Sequence, residues 1–298
     1  MPATRVAFSE LRDLHRQARR LDLRTGGAVA ALFPGARRAR FRGRGVEFEE
    51  VRPYLWGDDF RTIDWRVTAR TGEMHTRLYH EERELTLWLV CDAAASMWFG
   101  TRNCFKWVLA ARLAALFAWL AHDGGDRVGA LIHGNGRYCR QLRGGGGEAA
   151  VMRLFGLLAN LARPHAAGPH ATLADAAARL RRLARPGALM LFIGDFRALD
   201  PEAEGHLAAL ARHGELAALL VHDPLERELP PPGLYPLDDG RGCRGWLDTA
   251  SPALRRRWRE GFEERRRHVE EVFSRFAART LVLGTEQPLA ASVEAQLR

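Results

Sequence analysis

Two aspartates and one serine hold positions from which they could do chemistry. Asp92 follows the apolar run 85–91, which only Thr86 interrupts, and Ser96 stands four residues later. Asp195 follows a second apolar run, 188–194. Runs this short and continuous are expected of strands covered on both faces. A carboxylate just beyond such a strand lies on the rim where α/β domains hold their ligands. Two carboxylates there could divide general-acid and general-base roles. Ser96 could act as a nucleophile only beside a base, no histidine has the spacing to supply one, and no Gly-x-Ser-x-Gly elbow occurs.

Positioning these groups requires alternating strands and helices, and the chain supplies them. Strand 85–91 precedes a helix over 103–121, and Gly125-Asp126 turns into strand 127–133. Gly134-Asn135-Gly136 makes a hairpin to strand 137–142. Helices over 148–162 and 172–184 lead to strand 188–194, helix 201–212 and strand 216–222, which ends near Asp223. Residues 224–250 break the pattern: Pro230-Pro231-Pro232 is extended, and 233–238 pairs with 242–248 across Asp239-Gly240. A long helix over 251–278, a short strand 281–283 and a helix 288–297 close the chain. This order predicts an α/β fold with a mostly parallel sheet and helices on both faces.

Upstream, residues 8–24 read as a helix with a narrow stripe of Leu11, Leu14, Ala18 and Leu21 and a solvated arginine face. Residues 26–44 read as a Gly/Arg-rich linker. In 43–84 charge mixes tightly with aromatics: Asp58, Asp59 and Asp64 alternate with Arg52, Arg61, Arg66 and Arg70 around Tyr54, Trp56 and Trp65. Arginine forks pair with carboxylates and stack on rings. The block therefore predicts a small β-rich module held by Arg–Asp networks, with a strand near 74–80, or else a partner-binding surface. The expected divisions are 1–42 (helix and linker), 43–84 (module, completed in one reading by 224–250) and 85–298 (α/β domain).

Composition narrows the classes. Hydrophobic residues make up 47% of the 298, ample for a core. The net charge of +9 would suit nucleic acid. Yet Lys106 is the only lysine, and an arginine and alanine bias also fits a GC-rich coding sequence, so nucleic acid is the lesser reading. Four scattered cysteines without a CxxC pair read as reduced thiols of a cytoplasmic protein. The N-terminus lacks a secretory apolar core, and the apolar stretch 109–120 is broken by Arg112 and too short to span a bilayer. His75/His80 and His165/His170 are five apart, which fits no zinc pattern, and Gly144–Gly147 lacks the lysine of a phosphate loop.

The block from Glu47 to Met97 resembles the domain-of-unknown-function 58 family. The likeness is carried by EFEEVRPYLWGDDFRTIDWRVTARTGEMHTR, then EERE, then the apolar strand ending in Asp92 with Ser96-Met97. It implies a von Willebrand factor A-like domain and a non-catalytic, protein-binding adaptor that works with a MoxR-type AAA+ ATPase in a chaperone-like or complex-assembly role. In von Willebrand A domains a metal-ion-dependent adhesion site uses Asp-x-Ser-x-Ser, a threonine from a later loop and a second aspartate. The resemblance places Asp92, Ser96 and Asp195 in that set. Ala94 stands in the first serine position, and Ala171 stands where the threonine is expected, with Thr172 one place on. The expectation is a degenerate site. Either it holds Mg²⁺ weakly through Asp92, Ser96 and Asp195, or it is metal-free, with Asp92 capping the next loop and Asp195 bonded to backbone amides. Asp58, Asp59, Arg61, Asp64, Trp65, Arg66 and Arg70 would hold the module or join the contact. The rival readings are a weak Mg²⁺-dependent hydrolase using Asp92 and Asp195, and an arginine-rich nucleic-acid binder.

Overall fold

The computed structural model describes residues 3–25, 27–33, 43–56, 58, 60–81, 85–137, 139–163, 170–238 and 244–298. The chain divides into two compact units, 34–84 and the remainder (1–33 with 85–298).

The chain begins with three short helices, α1 (Phe8–Asp13), α2 (His15–Thr25) and α3 (Ala28–Leu32). The expected stripe is their inner face, with Leu11, Leu14, Ala18 and Leu21 all buried. Strand β1 (Gly43–Pro53), helix α4 (Trp65–Thr71) and strand β2 (His75–Glu81) form the smaller unit. The larger unit continues with β3 (Thr86–Asp92), α5 (Lys106–Asp123), β4 (Arg127–His133), β5 (Arg140–Gly145), α6 (Glu148–Ala159) and α7 (Leu173–Leu183). Then come β6 (Ala188–Gly194), α8 (Pro201–Ala211), β7 (Gly214–His222) and the short α9 (Pro224–Arg227). A hairpin of β8 (Leu234–Asp238) and β9 (Arg244–Asp248), then α10 (Pro252–Ser274), β10 (Arg279–Gly284) and α11 (Leu289–Leu297), complete it.

Six strands form the central sheet in the order β10-β7-β6-β3-β4-β5. All neighbours are parallel except β4 and β5. This is the predicted α/β class: a mostly parallel sheet with helices on both faces. The order reverses between β3 and β6, the switch point at which a doubly wound sheet opens a crevice at its carboxyl edge. Asp92 and Asp195 belong to those two strands' carboxyl ends.

Alternation in β3 feeds both layers. Trp88 and Val90 join a core with Met190, Phe192, Leu173, Val269 and Phe273, built with α7, α8 and α10. On the other face lies α5, whose residues are all buried except Arg112, His122 and Asp123. A helix apolar all round must be covered on all sides. Here the sheet covers one side, and α1, α2, α3, α6 and α11 cover the others. Trp119 shows the join: its indole N–H donates to the Leu11 carbonyl at 3.1 Å, and His15 stacks on its ring at 4.0 Å.

Two expected divisions therefore change. Residues 1–33 belong with the α/β domain rather than forming a separate N-terminal segment with the linker, because they bury the outer side of α5. Helix α3, with Leu32 and Phe33 buried, falls inside the stretch expected to be linker. Residues 224–250 also belong to the larger unit and do not complete the smaller one. Arg255 of α10 donates to the Leu229 carbonyl at 3.1 Å, and the Thr249 hydroxyl donates to the Pro231 carbonyl at 2.8 Å, which ties the segment to its own helix. The expected turn at Asp239-Gly240 lies outside the described residues, as do Asp59, His165 and Pro169.

Within the smaller unit β1 and β2 pair antiparallel. The Asp58 carboxylate accepts from the Arg52 guanidinium at 2.8 Å and from the Leu55 amide at 2.9 Å. The bond from Arg52 holds this carboxyl below the usual range. Asp64 is the N-cap of α4, accepting from the Arg66 and Val67 amides at 3.0 and 3.1 Å, and Gly72 ends the helix with φ 78°. That explains the spacing Asp64-Trp65-Arg66 as a capped helix start. Trp65, Arg66 and Arg70 are exposed on α4, and Arg61 lies in the turn Phe60–Thr62.

Candidate functional site

The carboxyl edge of the sheet gathers four acids from three strands and the helix that follows the last of them. Asp92 ends β3, Asp195 follows β6, Asp223 follows β7, and Glu226 lies in α9. Asp92, Asp195 and Asp223 are buried. Gly194 lets β3 and β6 close at this point: a Cβ there would stand 2.7 Å from the Asp92 Cβ.

Burying several carboxylates together is costly unless a cation joins them. The cation is Lys106, the first residue of α5. Its ammonium is fully buried and donates to Asp195 Oδ2 at 2.8 Å and to Glu226 Oε1 at 2.7 Å. Arg197 closes the rim from the solvent side, with Nη2 2.8 Å from Glu226 Oε1 and Nε 3.4 Å from Asp195 Oδ2. Its side chain is half exposed. The intervening Phe196 has φ 53°, a left-handed conformation that costs a non-glycine residue on the order of 1 kcal/mol. Packing of its buried ring against Phe273, centroids 5.6 Å apart, holds that turn.

Asp92 and Asp195 are driven in opposite directions. Burial raises the Asp92 carboxyl above its usual range, and the charge of Asp195 adds to the rise while His133 opposes it. Burial acts on Asp195 too, but the Lys106 ammonium and the Ser96 hydroxyl outweigh it and hold that carboxyl low. Asp92 Oδ1 accepts from the Ala94 amide at 2.8 Å, and Asp195 Oδ1 from the Arg197 amide at 3.2 Å. Glu226 is likewise held low against the effect of burial, by Lys106 and Arg197. A carboxyl held low when folded stabilises the fold above its unfolded value, and that contribution disappears as pH falls through the folded value. For Asp195 and Glu226 the loss begins below roughly pH 4.3. Asp92, being raised, contributes with the opposite sign. The melting temperature should therefore fall steeply below that pH, and Asp195→Asn/Glu226→Gln should flatten the slope. An unchanged slope would refute the assignment.

Asp223 organises the neighbouring loops. It accepts from the Thr101 amide and hydroxyl at 2.8 and 2.6 Å, from the Thr285 hydroxyl at 2.7 Å and from the Leu225 amide at 3.0 Å. One carboxylate thus binds the loops after β3, β7 and β10.

The structure brings Asp92, Ser96 and Asp195 together: the Ser96 hydroxyl bonds the Asp195 carboxylate, whose charge acts on Asp92. It uses Thr172 elsewhere: as N-cap of α7, its hydroxyl accepts from the Asp175 amide at 3.1 Å and lies 3.0 Å from the Asp175 carboxylate. Ala171 is buried, its amide bonded to the Gly136 carbonyl at 2.8 Å. Ala94 packs against Gly134, where a Cβ would come within 2.8 Å of its own. The divalent ion that the resemblance implied does not fit this donor set. Two hydroxyl positions are alanines, the threonine hydroxyl is engaged in a cap, and an ammonium holds the Asp195 oxygen that an ion would need. Among the described residues no group of three or more His, Cys, Asp or Glu side chains could hold a metal ion. Asp92, His133, Leu173, Phe192 and Phe196 line a cavity of about 10 Å³, room for about one water.

Sequence reasoning did not find Lys106, Arg197, Glu226 or the role of Asp223. Two signals were present. One was a solitary lysine near the start of a long apolar helix, and the other was Asp223-Pro224-Leu225-Glu226, a capping box in sequence.

Among the described residues no helix is long and apolar enough to cross a membrane. Among solved structures, the chain is similar to BatB from Bacteroides thetaiotaomicron (13% identity, 72% of this chain and 97% of that one, TM-score 0.47). It is also similar to a von Willebrand factor type A protein from Catenulispora acidiphila (11% identity, 73% of this chain and 42% of that one, TM-score 0.41). Among curated proteins, it is 34% identical over 277 residues to an uncharacterized protein of Mycobacterium tuberculosis H37Rv, covering 92% of this chain and 86% of that one. An uncharacterized protein of Mycobacterium bovis matches to the same extent. The model of the protein family of unknown function DUF58 matches residues 50–268, a span that includes Asp64 and α4, both strand-end aspartates, Lys106 and Glu226, and the chain belongs to that family.

Proposed function

We propose that this chain is a non-catalytic, protein-binding adaptor whose contact face is the carboxyl edge of the sheet around Asp92, Ser96, Asp195 and Arg197. One observation carries the reading: Asp195 and Glu226 are neutralised from within by Lys106, and the cavity beside Asp92 holds about one water rather than a substrate. Ligand pockets are ordinarily several hundred Å³. What the edge offers outward is a surface, with Arg197 half exposed and Phe99, in the loop after β3, 41% exposed. Arginine and aromatic side chains are the types that anchor protein interfaces. The family resemblance supplies the partner, a MoxR-type AAA+ ATPase, and with it a chaperone-like or complex-assembly role.

Pull-down of the intact chain against such an ATPase tests this. The wild type should be retained, and Arg197→Glu, checked for fold by circular dichroism, should lower retention about tenfold or more, since a reversed charge in a contact costs over 1.4 kcal/mol. Equal retention of the two would move the contact elsewhere, and no association would remove the adaptor reading. Mg²⁺-dependent hydrolysis abolished by Asp92→Asn would put the hydrolase in its place.

A further inference from the structure

We propose that the Lys106 ammonium is a built-in substitute for a divalent cation, so that this strand-end site is charged and shaped without a metal ion. The proposal concerns the isolated chain and does not depend on the identity of a partner. Three observations meet at one atom. First, Nζ lies at charge-assisted hydrogen-bond distance from carboxylate oxygens of two different loops, Asp195 after β6 and Glu226 after β7. Joining carboxylates from separate strand ends is the task a bound cation performs. Its charge also acts on Asp92, so its field spans the switch point.

Second, the site has lost what an ion would need and kept what an ammonium needs. Mg²⁺ requires near-octahedral oxygen donors, whereas Ala94 and Ala171 offer no hydroxyl and Thr172 is committed to its helix cap. A divalent ion on Asp195 would also sit within a few ångström of a fixed positive charge in a water-poor interior, where like charges repel strongly. Third, the residue type is selective. The chain carries 45 lysines and arginines, of which Lys106 is the only lysine. A planar guanidinium fork needs more width and more acceptors than a compact ammonium. The single place where this chain departs from arginine is this fully buried position.

Thermal unfolding of the purified chain, with chelator and with excess Mg²⁺ or Mn²⁺, tests the inference. The wild type should melt at the same temperature in all three conditions. Lys106→Ala should gain a dependence on divalent ions and bind one Mn²⁺ with Kd on the order of 10⁻⁴ M, the range of weak oxygen-donor sites, and adding Asp195→Asn should abolish both. Should Lys106→Ala fold only with the ion present, that dependence is the expected result. Should it fold in neither condition, Lys106→Ala/Glu226→Gln, which removes one uncompensated negative charge, is measured in the same way. The proposal is overturned if Asp195→Asn abolishes a divalent-dependent rise in the wild-type melting temperature, or if neither Lys106 variant responds to divalent ions.

Discussion

Lys106→Met should destabilise the larger unit by about 3–5 kcal/mol, the usual cost of removing one partner from a buried ion pair. Methionine roughly preserves the volume, so the loss reports charge rather than a cavity. Without the ammonium, Asp195 and Glu226 face each other across the sheet edge with the half-exposed Arg197 as their remaining salt-bridge partner among the described residues. A drop of this size corresponds to roughly 10 °C in melting temperature for a domain of this size. Because the cost arises from the acids left behind, it should be strongly non-additive: Lys106→Met/Asp195→Asn/Glu226→Gln should recover much of it. Chemical denaturation of the wild type, Lys106→Met, Asp195→Asn/Glu226→Gln and the triple variant measures the coupling directly. A loss below about 1 kcal/mol for the single variant would mean that the pair behaves like a surface contact, contrary to its complete burial.

Asp223→Ala should cost about 3 kcal/mol. Its carboxylate is fully buried and satisfies four donors from three segments, and donors left buried without partners cost about 1–3 kcal/mol each, less where water can replace the acceptor. Asp223→Asn should cost less, because the remaining side-chain oxygen can still accept while the new amide group meets donors. Hydrogen exchange gives the sharper readout. In the alanine variant, protection should fall together at Thr101, Leu225 and Thr285, because one group ties their loops. Loss confined to α9 would show that Asp223 is only a helix cap.

Both expectations concern a cluster that the sequence displayed in pieces. Asp92 and Asp195 were legible because a strand covered on both faces has to be a continuous apolar run, and the residue after it reaches the sheet's edge. The run 188–194 was read with the limits that β6 has. Where a strand's sequence is not a continuous apolar run the signal weakened. Strand β1, Gly43–Pro53, mixes three glutamates and two arginines with Val46, Phe48 and Val51 and was not legible as a strand. Strand β5 begins three residues later than expected and extends into Gly144 and Gly145.

What the sequence determined by itself was the family, through a long and particular motif, and the α/β class, through periodicity. It also determined the two strand-end aspartates. Each of these is recorded locally, within the span of one strand or helix. What only the tertiary structure decided was the company those aspartates keep. Lys106 meets Asp195 across 89 residues and Glu226 across 120. The N-terminal helices are part of the α/β domain because α5, apolar on all sides, still needed cover after the sheet had taken one side. Crossover connections set which helix start faces which strand end, so no local pattern could show that a solitary lysine joins Asp195 to Glu226 there.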